Sequence, residues 1–522
     1  MDRRTWLKLA ASTAAMAAFP IPAFADDNPV NPKTFLETLE GEVERLAALK
    51  ESDVKPFPRG VDEALAGLPY ERYDDITYRE DQAIWHNNAP FWIEPQHTAG
   101  SYYANPIELF QLDGPNVYPI PYSAQAFDFS KLDKPPAQPP KSGYAGFSAL
   151  TQIDQLGVYK KFLSFLGGTN FSATGRGQAF GVSARGLAIN IGQPEGEDYA
   201  LFTKIWIERP KPVDTQLVVH ALLESKLVAG RFKFTVKPGF DTVIDTEAVI
   251  RTRRRLNNIG IAPIASRFFF GPGVPPKRRD YRPRVHDSEA LYIVNGAGEQ
   301  IWRPLLNPER PQYSAFLDKA PPKGFGLIQK DRSFASYQDT VKQFERRPSL
   351  WIEPLEGEVW KEGFVELFEL PAPEEINENI LCFWRPKEGL LPYQRHTYSY
   401  RMHWCWDPPL DNKLAAVVQT RVGETKSGKA LFIVDFDTRS CADCNTGQLL
   451  AEVTAGGETK QYPLELAPAA SAPPETILPA SGPLRRLRFE HAPQGSEPTD
   501  IRAQLTVNGK PVSDAWIFRW AR

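Results

Sequence analysis

The sequence is poor in residues that build metal and redox sites, with four cysteines, seven histidines and three methionines among 522 residues. Cys441 and Cys444 have redox or metal spacing, but they are the one such pair and no histidine is near them in the sequence. Four good ligands are lacking, so we expect no zinc, no other metal and no cofactor. In an oxidising compartment the pair is expected to be structural, as a local disulfide or cross-paired with Cys405.

An excess of charge of one sign is also missing. The formal net charge is −3, which gives no broad electrostatic attraction to nucleic acid or to an anionic membrane surface. Two short basic runs occur at residues 251–255 and 277–279. Solvated loops, or recognition of hydroxyl and acidic groups, are favoured for these runs over phosphate binding. We therefore expect no nucleic-acid partner.

A long apolar run is missing as well. The run at residues 9–19 is too short and too rich in alanine for a stable membrane span, so stable membrane insertion is not expected. It follows Arg3-Arg4 and precedes the small-x-small signal Ala23-Phe-Ala25. These features predict a twin-arginine signal peptide at residues 1–25, export of the folded protein and a periplasmic location.

Proline and glycine are abundant, with 48 and 36 residues, and they interrupt runs that are too short for helices. Helical spacing of apolar residues predicts one helix at residues 33–50. Beyond it the residue pattern is typical of β-strands almost throughout, which predicts an all-β fold built of sandwiches. Strands are expected at residues 202–208, 216–223, 231–236, 266–270 and 291–294.

The turn-rich passage at residues 386–392 is the best domain boundary in the sequence. It separates a first domain at residues 26–388 from a second at residues 393–522. About seven short strands in roughly 125 residues are typical of an immunoglobulin-like sandwich. Six of these strands are expected at residues 414–420, 430–436, 449–453, 485–490, 501–507 and 515–519, with a hairpin signal at Asn508-Gly509.

The stretch from residue 324 to residue 384 mixes aromatic residues, arginines and carboxylates at short spacing, without a helical period. Each charged side chain must either be paired when it is buried or stay in contact with water. An ordinary core therefore does not need so many of them. A saccharide site needs flat aromatic faces for sugar rings and charged groups for hydroxyls. The alternative is a β-structure whose polar faces are simply solvated.

The same stretch carries a family resemblance. Residues 331–339 (Asp-Arg-Ser-Phe-Ala-Ser-Tyr-Gln-Asp) and 345–354 (Glu-Arg-Arg-Pro-Ser-Leu-Trp-Ile-Glu-Pro) resemble the osmoregulated periplasmic glucan biosynthesis proteins, types G and D. Further similar blocks follow in the family's order, and the resemblance spans most of the mature chain. These blocks are residues 177–188, 202–210, 281–288 and 302–305. The twin arginines favour type D within the family.

The resemblance implies a large galactose-mutarotase-like β-sandwich followed by a small immunoglobulin-like domain. It also implies a role in controlling the glucose backbone of periplasmic glucans, by inverting hydrolysis or by transglycosylation of β-1,2-glucan. The implied partner is a β-glucan polysaccharide. An inner-membrane glucan synthase and a second copy of the chain are candidate partners.

Glycoside cleavage normally needs two carboxyls that flank one bond. The first candidate is Glu378, in a polar loop just before an apolar strand, where a carboxyl can be partly desolvated and act as the acid. Its alternative is an exposed turn glutamate. The family's acid lies in a similar segment but is usually aspartate, so Glu378 is a departure, and its extra methylene moves the carboxyl by roughly an ångström.

The second pair of candidates is Asp287 and Glu289, which lie two residues apart and would share one side of an extended segment. One of them would be the base, and the sequence does not decide which. The family tends to have aspartate where Glu289 stands. His286 beside them is expected to be a hydrogen-bonded structural residue.

Five residues are expected to contact the substrate, because arginine forks bond hydroxyls and aromatic faces cover sugar rings. They are Tyr337, Arg346, Arg347, Trp351 and Trp384. Core packing is the alternative for the two tryptophans. A non-catalytic glucan-binding protein would use the same cleft without paired carboxyls. A sugar epimerase is a third and weaker hypothesis that rests on fold analogy alone, and none of the seven histidines supports it.

Overall fold

The computed structural model describes residues 32–355, 360–467, 484–492 and 498–520, so the predicted signal peptide at residues 1–25 lies outside the described residues. Within these ranges no helix is both long and apolar enough to cross a membrane. The α-helices are α1 (Pro32–Ala47) and α2 (Glu63–Ala66). Short 3-10 helices span Glu51–Asp53, Tyr70–Asp75, Glu80–Gln82, Ala124–Ala126, Phe334–Ser336, Phe344–Arg346 and Asp443–Asn445.

Strands make up most of the described chain. In the first half they are β1 (Thr77–Tyr78), β2 (Trp92–His97), β3 (Glu108–Asp113), β4 (Asn116–Pro119), β5 (Phe127–Asp128), β6 (Tyr144–Gln155), β7 (Val158–Leu166), β8 (Asn170–Ala173), β9 (Ser183–Arg185), β10 (Ala188–Ile189), β11 (Leu201–Glu208), β12 (Leu217–Glu224), β13 (Val228–Lys237), β14 (Thr242–Thr252), β15 (Ile259–Ser266) and β16 (Phe268–Phe270). In the second half they are β17 (Val285–His286), β18 (Ala290–Val294), β19 (Gln300–Pro304), β20 (Gln312–Asp318), β21 (Gly324–Ile328), β22 (Ser349–Pro354), β23 (Gly363–Glu369), β24 (Ile380–Pro386), β25 (His396–Cys405), β26 (Ala416–Glu424), β27 (Ala430–Asp437), β28 (Leu449–Ala455), β29 (Glu458–Tyr462), β30 (Glu465–Ala467), β31 (Leu484–His491), β32 (Thr499–Val507), β33 (Lys510–Pro511) and β34 (Ala515–Trp520).

The described strands form two extended sheets, which we call the small sheet and the large sheet, and a third sheet of four strands, which we call the tail sheet. The small sheet has the order β2-β6-β7-β8-β9-β15-β24-β23-β20, with β10 beside β15. The large sheet has the order β29-β28-β32-β34-β19-β18-β21-β22-β25-β14-β13-β12-β11-β3-β4, with β33 beside β32. The tail sheet has the order β26-β27-β31-β30, and the pairs β1-β5 and β16-β17 stand apart.

The main core lies between the small and large sheets. Phe165 of β7 and Phe171 of β8 meet Phe234 of β13, with ring centroids 5.2 and 5.0 Å apart. Alternate residues of each strand face this layer, because successive side chains of a strand point to opposite sides. The chain is therefore an all-β sandwich, as the sequence predicted. Helix α1 packs through Phe35, Leu39 and other apolar residues on the opposite face of the large sheet.

The expected helix and most expected strands are confirmed. The helix predicted at residues 33–50 corresponds to α1, and the strands predicted in the first domain correspond to β11, β12, β13 and β18. The prediction at residues 266–270 is broken in the structure, because Ser266 ends β15 and Phe268 begins β16, which leaves Arg267 between two strands. The Asn508-Gly509 hairpin is confirmed, with positive φ at both residues.

The domain start expected at residue 393 does not fit the strand pairing. Strand β25 follows that residue, yet it lies inside the large sheet, paired with β14 on one side and β22 on the other. Its residues Tyr398, Tyr400, Met402 and Trp404 point into the main core. We therefore propose a later boundary, between Cys405 and Ala416.

The C-terminal strands build a second pair of layers. The tail sheet packs over β28, β32 and β34 around a separate apolar cluster that includes Phe432, Phe489 and Trp516. The large sheet continues into this region through parallel pairing of β19 with β34. The immunoglobulin-like classification remains a prediction. Cys441 and Cys444 form a local disulfide, whereas Cys382 and Cys405 are buried and unpaired.

Candidate functional site

A row of cross-strand neighbours defines the outer face of the small sheet, which we call the cleft face. Directly paired residues of adjacent strands share a face. The row consists of Glu94 in β2, Ser148 in β6, Ser164 in β7, Ser172 in β8, Ser183 in β9, Ala265 in β15, Leu381 in β24, Phe368 in β23 and Tyr313 in β20. Phe147, Phe165, Phe171 and Ala184, which alternate with the serines, lie in the main core. The row therefore faces away from the core.

Glu378 stands over this row, in the loop between β23 and β24. Ser183 Oγ donates a hydrogen bond of 3.0 Å to Glu378 Oε1. The next residue, Asn379, is buried and anchors the loop, because its side chain donates to Phe268 O and Leu370 O and accepts from Phe268 N. Glu378 itself is exposed, which corrects the expectation of a partly buried carboxyl. The anchored neighbour fixes the backbone, while the carboxyl projects into solvent above Ser183.

Three tyrosine side chains lie within electrostatic reach of Glu378. Burial raises the pKa of the Tyr103 hydroxyl, and the negative charge of Glu378 raises it further. Burial likewise raises the pKa of Tyr70 and of Tyr199, and Glu378 adds to both shifts. The ring of Tyr102 meets that of Tyr70 edge to face, with centroids 5.4 Å apart and planes 66° apart. We call Tyr70, Tyr102, Tyr103 and Tyr199 the tyrosine cluster.

The sequence reasoning missed the tyrosine cluster, whose members come from three separate segments. The adjacent pair Gly167-Gly168 between β7 and β8 is the signal that could have found it, because strand-end glycines mark close approach. Gly168 has a φ of +64°, and a Cβ there would lie 2.4 Å from Tyr199 Oη. A Cβ at Gly167 would lie 3.0 Å from the Tyr103 ring.

Arg267 connects Glu378 with Asp287. Burial lowers the pKa of Arg267, but the charges of Asp287 and Glu378 outweigh it and keep the pKa above its ordinary value. The carbonyl of Arg267 accepts from Asp287 N at 2.9 Å, and its Nη2 donates to Ile376 O at 3.2 Å. Its buried Nε has no hydrogen-bond partner among the described residues. One guanidinium therefore lies within electrostatic reach of both candidate carboxyls.

Asp287 is buried and paired. Arg347 Nη1 donates to Asp287 Oδ1, and the Arg347 guanidinium lies 4.3 Å from the centroid of the Phe344 ring. Arg347 also donates to the carbonyl of Lys342. The expected sugar-binding role of Arg347 is therefore replaced by an ion pair that fixes Asp287.

Glu289 belongs to different surroundings. Its Oε1 accepts from Lys330 N at 2.8 Å, and its Oε2 lies 3.7 Å from Arg284 Nη1. Burial raises the pKa of Glu289, and Arg284 partly opposes that shift. Glu289 lines a cavity of about 40 Å³ that Trp302 and Thr420 also line.

The expectation that Asp287 and Glu289 share one side therefore fails. Strand β17 ends at His286 and β18 begins at Ala290, so residues 287–289 form a bend to which the two-residue period does not apply. His286 is buried and hydrogen-bonded to Gln329 Oε1 at 2.9 Å, as expected of a structural histidine. Burial lowers its pKa to about 3.

Three of the expected substrate contacts are buried in apolar clusters. Tyr337 donates its hydroxyl to Asp331 O, and Trp384 packs 4.7 Å from Trp360 between ring centroids. Trp351 lies 5.9 Å from the ring of Tyr292. None of these three side chains has appreciable exposed surface, so they are not available to contact a sugar.

Arg346 is half-buried and connects two segments. Its Nε donates to Gly177 O at 2.8 Å, and its carbonyl accepts from Ala179 N at 3.0 Å. These two bonds join the motif at residues 345–354 to the motif at residues 177–188. Within the described residues no cluster of three histidine, cysteine or acidic side chains could hold a metal ion.

The fold and this face together define an all-β sandwich whose outer face carries tyrosines, serines and a carboxylate. The family profile described as "Periplasmic glucan biosynthesis protein, MdoG" matches residues 37–520. The chain therefore belongs to the periplasmic glucan biosynthesis protein family, whose name places it in the periplasm and in glucan metabolism.

Several relatives carry the name "Glucans biosynthesis protein G". The relative from Bradyrhizobium diazoefficiens is 37% identical over 528 residues and covers 100% of both chains. The relative from Rhodopseudomonas palustris strain CGA009 is 37% identical over 525 residues, again with 100% of both chains. A relative from Shewanella sp. strain W3-18-1 is 36% identical over 91% of this chain and 85% of its own. The expected closeness to type D remains a prediction, since these relatives carry the type G name.

Proposed function

We propose that the protein acts on the β-1,2-linked glucose backbone of osmoregulated periplasmic glucans, by inverting hydrolysis or by transglycosylation. The observation that carries this proposal is the position of Arg267. Its carbonyl accepts from Asp287 N at 2.9 Å, and its Nη2 donates at 3.2 Å to the carbonyl of Ile376, two residues before Glu378. The charges of Asp287 and Glu378 both raise its pKa. Two carboxyls of different environment within electrostatic reach of one guanidinium would supply an acid and a base for one bond. The family's part in glucan biosynthesis supports the substrate class.

Glu378 is the proposed general acid. Its carboxyl stands above Ser183 on the open face, where a glycosidic oxygen can approach it. Proton donation to that oxygen lets the leaving sugar depart as a neutral hydroxyl. The tyrosine cluster would hold the sugar rings, because aromatic faces pack against C–H surfaces and tyrosine hydroxyls can bond sugar hydroxyls.

Asp287 is the proposed base, in preference to Glu289. Asp287 shares Arg267 with the acid, whereas Glu289 interacts with Arg284 and faces the cavity between the sandwich and the C-terminal layers. The raised pKa of Glu289 also opposes a role that needs the ionised form. In hydrolysis Asp287 takes a proton from water directly or through linked waters, and in transglycosylation from a sugar hydroxyl.

A non-catalytic glucan-binding protein is the second candidate, and two observations favour it. Glu378 is exposed, so it lacks the burial that commonly adapts a carboxyl to act as an acid. Asp287 is already paired with Arg347. In this case the tyrosine cluster would guide the glucan chain, and the carboxyls would bond its hydroxyls.

The deciding experiment is incubation of the purified mature protein with linear β-1,2-glucan, with product sizes and anomers resolved. Glu378→Gln keeps the size of the side chain but cannot donate the proton, so turnover should fall by about 10²–10⁴-fold while glucan binding is retained. Asp287→Asn should also abolish turnover. Glu374→Gln, an exposed glutamate of the same loop, is the matched control and should leave activity unchanged.

The outcomes separate the two candidates. Undiminished turnover in Glu378→Gln would remove Glu378 from the mechanism. Binding without turnover in the wild type would favour the non-catalytic protein. A wild type that neither binds nor cleaves linear β-1,2-glucan would reject the proposed substrate.

We further propose that the protein reaches the periplasm through the folded-protein export pathway, directed by Arg3-Arg4. There it would meet the nascent glucan, with an inner-membrane glucan synthase as the proposed partner and a homodimer as a proposed assembly. Replacement of both arginines by lysine should leave precursor in the cytoplasm. Normal maturation of that variant would reject the twin-arginine pathway.

A further inference from the structure

We propose that the cleft face carries a second carbohydrate-binding platform at strand β20, centred on Tyr313 and Phe368. The platform would hold a distant part of the same β-1,2-glucan chain whose cleavage or guidance we propose at Glu378. This inference rests on the proposed function and adds a separate binding site to it. It makes chain length, in addition to linkage, a property that the protein recognises.

The platform is a pair of aromatic rings at the edge of the small sheet. Tyr313 is 44% exposed although it lies in a strand, and its ring centroid is 4.9 Å from that of Phe368 in β23. Phe368 continues inward to Phe383 of β24, with centroids 5.7 Å apart and planes 23° apart. A loop approaches from one side, where a Cβ at Gly192 would lie 2.7 Å from the Phe368 ring.

Tyr313 is held in place by polar neighbours. Its hydroxyl donates to Glu366 Oε1 at 2.6 Å, and Arg385 Nε donates to the same oxygen at 2.5 Å. The Arg385 guanidinium in turn lies 4.4 Å from the centroid of the Phe364 ring. A ring fixed in advance loses little conformational freedom when a ligand covers it, which favours binding.

The platform and the acid share one face. Tyr313, Phe368, Leu381, Ala265 and Ser183 are consecutive cross-strand partners, and Ser183 holds Glu378. Four strand spacings of about 4.8 Å separate Tyr313 from Ser183, which gives roughly 19 Å. Only a ligand of several sugar units can reach from one to the other, and a linear glucan is such a ligand.

The side chains favour a glycan over a second copy of the chain at this edge. A second copy would pair with the free backbone edge of β20 and would not need a ring aligned with the cleft. The exposed ring is amphipathic, fixed by a carboxylate and an arginine, and continuous with the face that holds Glu378. Aromatic surface with adjacent polar groups is the combination that sugar rings require.

The test compares binding of long linear β-1,2-glucan and of short β-1,2-oligosaccharides by isothermal titration calorimetry. Tyr313→Ala should weaken binding of the long glucan by roughly threefold to tenfold, which is the loss of one aromatic contact. It should leave binding of the short oligosaccharides unchanged. Tyr313→Phe keeps the ring and should retain most of the affinity.

Tyr118→Ala is the matched control, because Tyr118 is 43% exposed on β4, an edge strand of the large sheet. It should bind both ligands like the wild type. If Tyr313→Ala binds the long glucan with the same affinity as the wild type, the platform is overturned and the proposed function is left intact. A wild type that binds neither ligand would overturn both. A change in sedimentation of Tyr313→Ala, with glucan binding unchanged, would assign β20 to contact between copies and overturn the platform.

Discussion

Ser183 Oγ donates to Glu378 Oε1 at 3.0 Å, although the two residues are 195 positions apart in the chain. The bond joins a strand in the middle of the small sheet to the loop before β24, and it is the direct support of the proposed acid. Because Glu378 is exposed, few other contacts restrict its rotamers. The orientation of the carboxyl therefore depends on this serine.

The first prediction is that Ser183→Ala lowers turnover of linear β-1,2-glucan by roughly threefold to tenfold, the value of one hydrogen bond. Because Ser183 acts by orienting Glu378, kcat should fall while KM changes little. Ser172→Ala, on the neighbouring strand and the same face, is the control and should retain kcat. An equal loss in both variants would indicate a general effect on the face.

The second prediction concerns Arg282, which joins three loops near the site. Its guanidinium donates to Asp280, to Asp339 at 3.0 Å and to Glu375 at 2.6 Å, and Glu375 is three residues from Glu378. Arg282→Ala would leave three carboxylates without this partner, so unfolding free energy should fall by about 1–3 kcal/mol. Hydrogen exchange of residues 371–379 should become faster.

Glu375→Gln serves as the control for Arg282→Ala, because it weakens one of the three ion pairs and leaves the other two. Its effect on stability and on exchange should be smaller than that of Arg282→Ala. Identical exchange of residues 371–379 in Arg282→Ala and the wild type would contradict the role of Arg282 as a connection between loops.

The sequence was sufficient for the fold class, and it identified Glu378 as a candidate acid, whose role stays a prediction. Alternation and turn residues predicted most strands, because both signals are local. The sheet to which a strand belongs is not local, and β25 shows this. It follows the expected boundary in the chain but pairs with β14 from far upstream.

The tryptophans were misassigned for a related reason. Residues 380–384 form a continuous apolar run, so the sequence does not reveal which alternate set faces the core. In the structure Ile380, Cys382 and Trp384 face inward, whereas Leu381 and Phe383 belong to the cleft face. The tyrosine cluster was missed because tertiary structure alone brings Tyr70 and Tyr199, from distant segments, within electrostatic reach of Glu378.

The third prediction tests the packing of Trp384. A Cβ at Gly363 would lie 2.6 Å from Trp384 Nε1, and the tryptophan has no room to move because it is fully buried. Gly363→Ala should therefore lower the unfolding free energy by about 1–3 kcal/mol in urea titration. Gly423→Ala is the control, because Gly423 also lies in a strand but has open space around its Cβ position. Equal stability of Gly363→Ala and Gly423→Ala would refute the close packing.

The fourth prediction is an acid dependence of stability that originates from His286. Burial and the positive charge of Arg284 lower the pKa of His286 to about 3 in the folded protein, from an ordinary 6.5. Between these values the unfolded chain binds a proton that the folded chain does not. The stability contributed by the neutral histidine is present above pH 6.5 and is lost as the pH falls toward 3.

His286→Gln should remove this dependence. From pH 7 to pH 5 the single histidine should cost the wild type about 2 kcal/mol more than the variant, because the slope approaches about 1.4 kcal/mol per pH unit below pH 6.5. Urea unfolding of both proteins at pH 7 and pH 5 measures the difference, and the comparison cancels the groups that the two proteins share. The variant is expected to be less stable at pH 7, because it loses the packing of His286 against Phe268. Parallel loss of stability in both proteins between the two pH values would show that His286 is not the group that titrates.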